Sequence, residues 1–164
     1  MIVDDVLKLL EIRDMKPTHF VTLVYKKRVN EILCESGYSK YLRMLNRRIY
    51  GRHSRKIRVK QLGFLETNFN GHYGVHVLFD FNDCDVELHK KQSKDLWGNY
   101  LKVEGRNVGS NVCFKQTFFK RTDITGWWKE IYDLDGVVKY VTKYDGEKDI
   151  FTGNDKMILL GVYK

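Results

Sequence analysis

Alanine does not occur in this 164-residue chain, and proline occurs once, at Pro17. Lys, Asn, Tyr, Ile and Phe are plentiful instead, which is the bias of an AT-rich genome and says little about chemistry. No Pro/Ser-rich linker, repeat or low-complexity stretch divides the chain, so residues 1–164 read as a single domain. Its 43% hydrophobic content suffices for a real core. Only three cysteines occur, Cys34, Cys84 and Cys113. They are scattered, odd in number and form no CxxC pair, so neither a zinc knuckle nor a disulfide framework is indicated. A reducing, intracellular, cytoplasmic setting is the expectation. No run approaches a membrane span, and the acidic start Met1-Ile2-Val3-Asp4-Asp5 lacks the basic flank and long apolar run of a signal peptide. No membrane is expected among the partners. No GxxxxGK[ST] phosphate loop occurs, and the chain leaves no room for a helicase domain.

Positive charge is abundant. The 29 Lys and Arg against 21 Asp and Glu give a net charge of +8 and a pI near 9.3. Such a balance fits a polyanion, most simply nucleic acid; a ribosome-associated or membrane-surface protein fits less well. The excess is densest at 47–60, where seven of fourteen residues are Lys or Arg, with Tyr50 and His53 between them. Arg47, Arg48, Arg52, Arg55 and Lys56 are candidate phosphate contacts. The bland alternative is a solvated charged face. Trp127-Trp128 offers a surface for stacking on bases or, more simply, for burial.

Hydrophobic spacing predicts an amphipathic helix over 2–13. A strand follows over 18–25, and a helix runs from about Val29 to Arg48 with Gly37 as a weak point. The basic run reads as a loop. Strands at about 57–67 and 72–81 are joined at Asn68-Phe69-Asn70-Gly71, a strong hairpin signal. A helix over 85–96 ends at Trp97-Gly98. A further strand pair is expected at 100–104 and 112–120, around the Gly/Asn-rich 105–111. Asp133-Leu134-Asp135-Gly136 opens a last helix, with aspartate suited to its start. The order implies an α+β plan with an antiparallel sheet.

Two segments carry the chemistry. In Gly71-His72-Tyr73-Gly74-Val75-His76-Val77-Leu78-Phe79, His72 and His76 fall on one face of a strand, and two imidazoles can hold a divalent metal. In Val137-Val138-Lys139-Tyr140-Val141-Thr142-Lys143-Tyr144, Tyr140 and Lys143 share a helix face. Of the 10 tyrosines only Tyr140 has lysine three residues on. A phenol with a pKa near 10 needs a metal or a cation to become a nucleophile. Lys143 would supply the cation, either lowering that pKa or neutralising charge on a pentavalent phosphate. Tyr144 is the rival nucleophile on the same face, or a packing residue. A lone strand histidine is usually just a satisfied side chain, which is the plain reading of His76. Glu66 can likewise be a solvated carboxylate. His19 and His53 read as surface groups.

These pieces, taken in order, resemble a known family. Phe20-Val21-Thr22-Leu23 resembles the first motif of rolling-circle replication initiators. Glu66 with His72-Tyr73-Gly74-Val75-His76-Val77-Leu78 resembles the second, metal-binding motif. Leu96-Trp97-Gly98 resembles a feature between motifs, and Tyr140-Val141-Thr142-Lys143 resembles the tyrosine-x-x-lysine third motif. Over residues 18–144 the chain is similar to the HUH endonuclease superfamily, in its replication-initiator (Rep) branch of plasmids and small viruses. The resemblance implies a ferredoxin-like or RRM-like core with an antiparallel sheet of about five strands. It implies site-specific nicking and joining of single-stranded DNA at a replication origin. The tyrosine stays joined to the 5′ end and leaves a 3′ hydroxyl for a polymerase. Mg2+ or Mn2+ is the implied cofactor. Host replication proteins and a second copy of the chain are further candidate partners.

The family's metal motif places two histidines at i and i+2. Here Gly74 stands two before His76. His72, four before it, lies about 13 Å away along a regular strand. Gly74 marks either a bend or bulge that shortens this reach, or a site that has lost a ligand. His76 is therefore the first candidate ligand, Glu66 the second and His72 the third. A transposase of the same superfamily usually carries glutamine where Lys143 stands. A non-catalytic nucleic-acid-binding module on the same fold is the rival from another class.

Overall fold

In the computed structural model, residues 2–67, 73–111, 114, 126–142 and 158–160 are described. Helix α1 spans Ile2–Ile12 and strand β1 spans His19–Val24. The long helix α2, Glu31–Tyr50, starts at Asn30, whose side-chain oxygen accepts from the Leu33 amide at 2.9 Å. It runs unbroken through Gly37. A Cβ there would lie 3.3 Å from both Tyr25 and Val108, so the glycine brings the helix close to its neighbours rather than weakening it.

Strands β2, Lys60–Thr67, and β3, Tyr73–Asp80, pair antiparallel along their whole length. The expected turn at 68–71 lies outside the described residues. Asp85 caps helix α3, Val86–Asp95, by accepting from the Leu88 amide at 2.9 Å. A π-helical turn, Leu96–Tyr100, then buries Trp97, whose Nε1 donates to the Val24 carbonyl at 2.9 Å. A tight hairpin follows, pairing β4, Lys102–Val103, with β5, Arg106–Asn107. Strand β6, Trp128–Glu130, precedes helix α4, Leu134–Thr142.

Four antiparallel strands form the body of the main sheet, in the order β6-β1-β3-β2. The segment Ile158–Leu160, β7, adds a short row on the outer edge of β2. The expected α+β plan with an antiparallel sheet is what the structure has. Along β3 the side chains alternate. Val75, Val77 and Phe79 enter one core, which also holds Tyr38, Tyr41 and Leu45 of α2 and Trp97. Leu78 enters a second core with Phe20, Leu62 and Phe64, Val6 and Leu10 of α1, and Val138 and Val141 of α4. Helices thus cover both faces of the sheet. Among the described residues no helix is long and apolar enough to cross a membrane.

Three expectations are corrected. The basic run is not a loop: Arg47 and Arg48 end α2, and Gly51–Arg55 form a 3₁₀ turn. The strand expected at 100–104 is shorter, Lys102–Val103, and forms a tight hairpin with β5. Its turn is Glu104-Gly105, at φ of 50° and 75°, where glycine is at ease. Of 112–120 only residue 114 lies within the described residues. Finally, β6 is a strand where none is expected from the sequence.

Candidate active site

The site lies on the α1/α4 side of the sheet. Cross-strand register places Thr22 of β1 and Phe64 of β2 on either side of His76. The next position of β2 on that face is Glu66, opposite Gly74. Because Gly74 has no side chain, Glu66 reaches diagonally to His76, and its Oε2 lies 2.7 Å from His76 Nε2. The other ring nitrogen, Nδ1, lies 3.1 Å from the Thr22 hydroxyl. Both ring nitrogens are engaged, so the imidazole is fixed in plane and direction. Phe20 stacks on it, with centroids 5.2 Å apart and planes at 18°. His76 is buried and Glu66 half-buried.

Gly74 is not in a bulge. The pairing of β3 with β1 and β2 continues through it without an inserted residue. A Cβ at Gly74 would meet only the Leu23 carbonyl oxygen, at an ordinary 3.5 Å. The bend that would have brought His72 nearer is therefore absent at this position. His72 itself lies outside the described residues.

Helix α4 delivers the tyrosine. Asp133 Oδ1 accepts from the Gly136 amide at 2.9 Å and caps the first turn. A side chain at Gly136 would collide with that carboxylate, at 2.3 Å from its Oδ2, so the Asp-x-x-Gly pattern is what lets the cap form. Val138 and Val141 anchor the helix in the second core. This leaves Tyr140 at the rim, 53% exposed. Its ring meets His76 edge-on, with centroids 5.6 Å apart, and meets Phe20 at 5.9 Å. Residues far apart in the sequence thus converge: Phe20 and Thr22, Glu66, His76 and Tyr140. Lys143 and Tyr144 lie outside the described residues.

The donor set bears on the implied metal. The His76 nitrogen and the Glu66 carboxylate oxygen face each other at 2.7 Å, and both are donor types that a divalent ion such as Mn2+ or Mg2+ accepts. A ligand histidine usually has its second nitrogen held by another group, and Thr22 holds this one. Mg2+ is commonly held by one or two protein groups, with water and substrate phosphate as the rest. Among the described residues no group of three or more His, Cys, Asp or Glu gathers at one point. The pair fits the ion.

No family model matches the chain. No curated protein and no solved structure matches it either. The resemblance to HUH endonucleases therefore rests on the residues themselves.

The basic residues are elsewhere. Arg48 turns to α3, with Nη1 2.5 Å from Asp95 and 3.0 Å from Gln92, so it is committed to holding two helices together. Arg52 and Lys56 are exposed on and just after the 3₁₀ turn. Arg47 and Arg55 join Arg43 and Arg58 around one cavity. This cavity lies near the start of β2, six residues from Glu66, or about 20 Å along the strand. Trp128 packs on Phe81 and Phe79, and Trp127 packs edge-on against Phe114. His19 is no free surface group; it is half-buried between Phe81 and Trp128.

Thr22 is a partner of His76 that sequence reasoning misses, although it stands within the Phe20–Leu23 motif. Only the cross-strand register reveals that pairing. Cys34 carries no chemistry: burial pushes its thiol up to about 12, far from a reactive thiolate.

Proposed function

We propose that this chain is a metal-dependent endonuclease of the HUH type, with its α+β body as the ferredoxin-like core. It nicks single-stranded DNA and rejoins it through a 5′-phosphotyrosine intermediate, as replication initiators do. The observation that carries this reading is the contact of the Tyr140 ring with His76, whose Nε2 faces the Glu66 carboxylate. A half-exposed phenol beside an imidazole–carboxylate pair is an arrangement for phosphoryl transfer, and packing alone gives no reason to place those two polar groups there.

The roles follow from the geometry. His76 and Glu66 would hold Mg2+ or Mn2+, which when bound supplies Lewis-acid polarisation of the scissile phosphate. The Tyr140 oxygen attacks the phosphorus and gives up its proton. The bond from phosphorus to the 3′ oxygen breaks, and that oxygen takes up a proton as the new 3′ hydroxyl. One P–O bond replaces another, so the energy is conserved and a 3′ hydroxyl can later reverse the step without ATP. Phe20 fixes the planes of both rings, which reduces the freedom lost on reaching the reactive arrangement. Lys143, three residues beyond Tyr140, is assigned the neutralising cation.

The test is an adduct. Incubation with Mn2+ and a labelled pool of random single-stranded oligonucleotides should yield a protein–DNA species that survives denaturation. Tyr140→Phe should reduce it to background while leaving folding and DNA binding intact. An adduct of normal yield from the Phe variant would defeat the assignment. The rival reading is a non-catalytic nucleic-acid module. Gly74, which leaves two donors at the site among the described residues, favours it, and absence of any adduct would select it.

A further inference from the structure

A chain of polar side chains lies apart from Tyr140 and has no part in its site. Three places in the fold supply it: Tyr50 at the end of α2, Cys84 just before α3, and His89 within α3. The Tyr50 oxygen lies 3.4 Å from Cys84 Sγ and 3.3 Å from His89 Nε2. His89 Nδ1 lies 2.6 Å from the Asp85 carbonyl oxygen. That last contact sets every proton in the chain. A carbonyl only accepts, so Nδ1 carries a hydrogen. Burial lowers the imidazole's pKa and keeps it neutral near pH 7, so Nε2 accepts. Tyr50 must then donate to Nε2, and its oxygen is left to accept from the Cys84 thiol. The relay runs one way, from S–H to O–H to nitrogen.

A buried histidine in need of a partner would be satisfied by the tyrosine alone. The thiol at the outer end adds a nucleophile, and it is half-buried rather than sealed in. Nucleophile, relay and base stand in line, with the base oriented by a further group, which is the logic of a catalytic triad. The line opens outward: Cys84 and Tyr50 both face a cavity of about 500 Å3. That is the size of a pocket for a small ligand. Cys34, fully buried, has no comparable setting.

The cavity's charges indicate what enters it. Lys16, Arg58 and Lys60 bring cations, and Asp14, Asp80 and Asp83 bring carboxylates. Part of this charge is used internally: Lys60 lies 3.7 Å from the Asp14 carboxylate, and Asp80 accepts from the Lys16 and Asn82 amides. Lys16, Arg58 and Asp83 are exposed residues of the lining. A ligand that carries both carboxylates and an ammonium matches both signs. A plain anion or a plain cation meets one of them as a like charge. We infer that Cys84 is a thiol–disulfide exchange site that takes up a small zwitterionic peptide disulfide as a mixed disulfide. The thiol proton passes through Tyr50 to His89. The Cys84 sulfur attacks one sulfur of the ligand, and the ligand's S–S bond breaks as the new one forms. The departing thiolate takes the proton back along the same path. The ligand's own disulfide oxidises Cys84, and its departing half is reduced. This chemistry is separate from nicking and does not depend on Tyr140 being a nucleophile.

The experiment incubates the full chain with glutathione disulfide at about pH 7 and follows the mixed disulfide by peptide mass spectrometry. Label should form at Cys84, be released by dithiothreitol and be absent from Cys34. Cys84→Ser should remove it. A free thiol is only about 3% thiolate at pH 7, so a relay can raise the rate by at most about 30-fold. Tyr50→Phe, which keeps the ring and removes the hydroxyl, should slow exchange about tenfold. His89→Gln, which can still accept from Tyr50 but takes no proton, should slow it about as much. Lys16→Gln with Arg58→Gln should slow glutathione disulfide about tenfold and leave an uncharged hydroxyethyl disulfide unaffected. Exchange at an undiminished rate in both Tyr50→Phe and His89→Gln would overturn the inference, as would label confined to Cys34 or Cys113. Should those variants unfold, which labelling of Cys34 would reveal, the parent chain decides. Faster exchange with glutathione disulfide than with hydroxyethyl disulfide supports the site, and no preference between them overturns it.

Discussion

The two faces of the sheet are built from the same strands and do opposite things. The face under α2 and α3 is a dry interlock of Val75, Val77, Phe79, Tyr41 and Trp97, all fully buried. Two of its polar groups are tied off inside the protein, the Tyr41 hydroxyl donating to Ser93 at 2.7 Å and Trp97 Nε1 to a carbonyl. The face under α1 and α4 begins in the same way, with Leu62, Phe64 and Leu78. Further along it gives way to Thr22, His76 and Glu66, with Gly74 making room and Tyr140 at the rim. One residue of offset along β3 separates a core position from a site position. Polar groups at the rim of an otherwise apolar face cost more to bury than apolar residues of similar size, a cost that the proposed function would explain.

Swapping neighbours on β3 should break this contrast most sharply. If His76 is the ligand proposed, His76→Ala should weaken Mn2+ binding by at least about 100-fold, and losing the buried ring with its Thr22 and Glu66 partners should cost about 1–3 kcal/mol of stability. Phe79→Ala, on the other face, should cost about 3–5 kcal/mol of stability while the folded fraction keeps its Mn2+ affinity. Titration by electron paramagnetic resonance and chemical denaturation separate the two. If both variants lose stability alike and neither alters Mn2+ binding, the faces are not functionally distinct.

Smaller changes test how the pair is oriented. Thr22→Val keeps the β-branched shape but removes the hydroxyl on Nδ1. Mn2+ affinity should fall about tenfold, as for other groups that hold a ligand histidine, and Thr22→Ser should restore it. A Val variant that binds Mn2+ normally would reduce Thr22 to a packing residue. Gly74→His should move affinity the other way, on the order of tenfold, since β3 is regular and the added Cβ meets no clash. Loss of folding in that variant would mean that Glu66 cannot yield the space.

How much of this is legible in the sequence follows from particular residues. The alternation of β3 is plain, because apolar residues on both sides of His76 leave one register. The tyrosine helix is plain from its aspartate start and its valines. Strand β6 is hidden, since three residues cannot establish a period. The hairpin at 102–107 is easily misplaced because the glycines at 105 and 109 both look like turns, while Gly105 takes the turn and Gly109 bridges to Tyr25. The basic run is visible, but its division is not. Sequence cannot tell that Arg48 faces Asp95, or that Arg58 joins Arg47 from another part of the chain. Register and tertiary approach decide what composition leaves open.

The smallest effect expected concerns pH, and it again sets the faces apart. His89 is buried between Tyr50, whose hydroxyl lies 3.3 Å from Nε2, and Phe81, while Nδ1–H donates to the Asp85 carbonyl at 2.6 Å. Burial pushes its pKa below the usual 6.5, because a charged imidazole there loses its water; the Asp85 carbonyl and carboxylate oppose this without reversing it. The unfolded chain therefore binds a proton at His89 before the folded chain does. Stability from this residue is complete above about pH 6.5 and is lost as pH falls toward the lower folded value. His19, lowered for the same reason against a raising effect from Glu130, adds in the same direction. The melting temperature should thus hold level from about pH 8 to 7 and drop by a few degrees near pH 5.5. His89→Gln should shrink that drop by removing one of the two groups, while leaving Mn2+ binding on the opposite face unchanged. A drop of undiminished size in the variant would place the acid sensitivity outside His89.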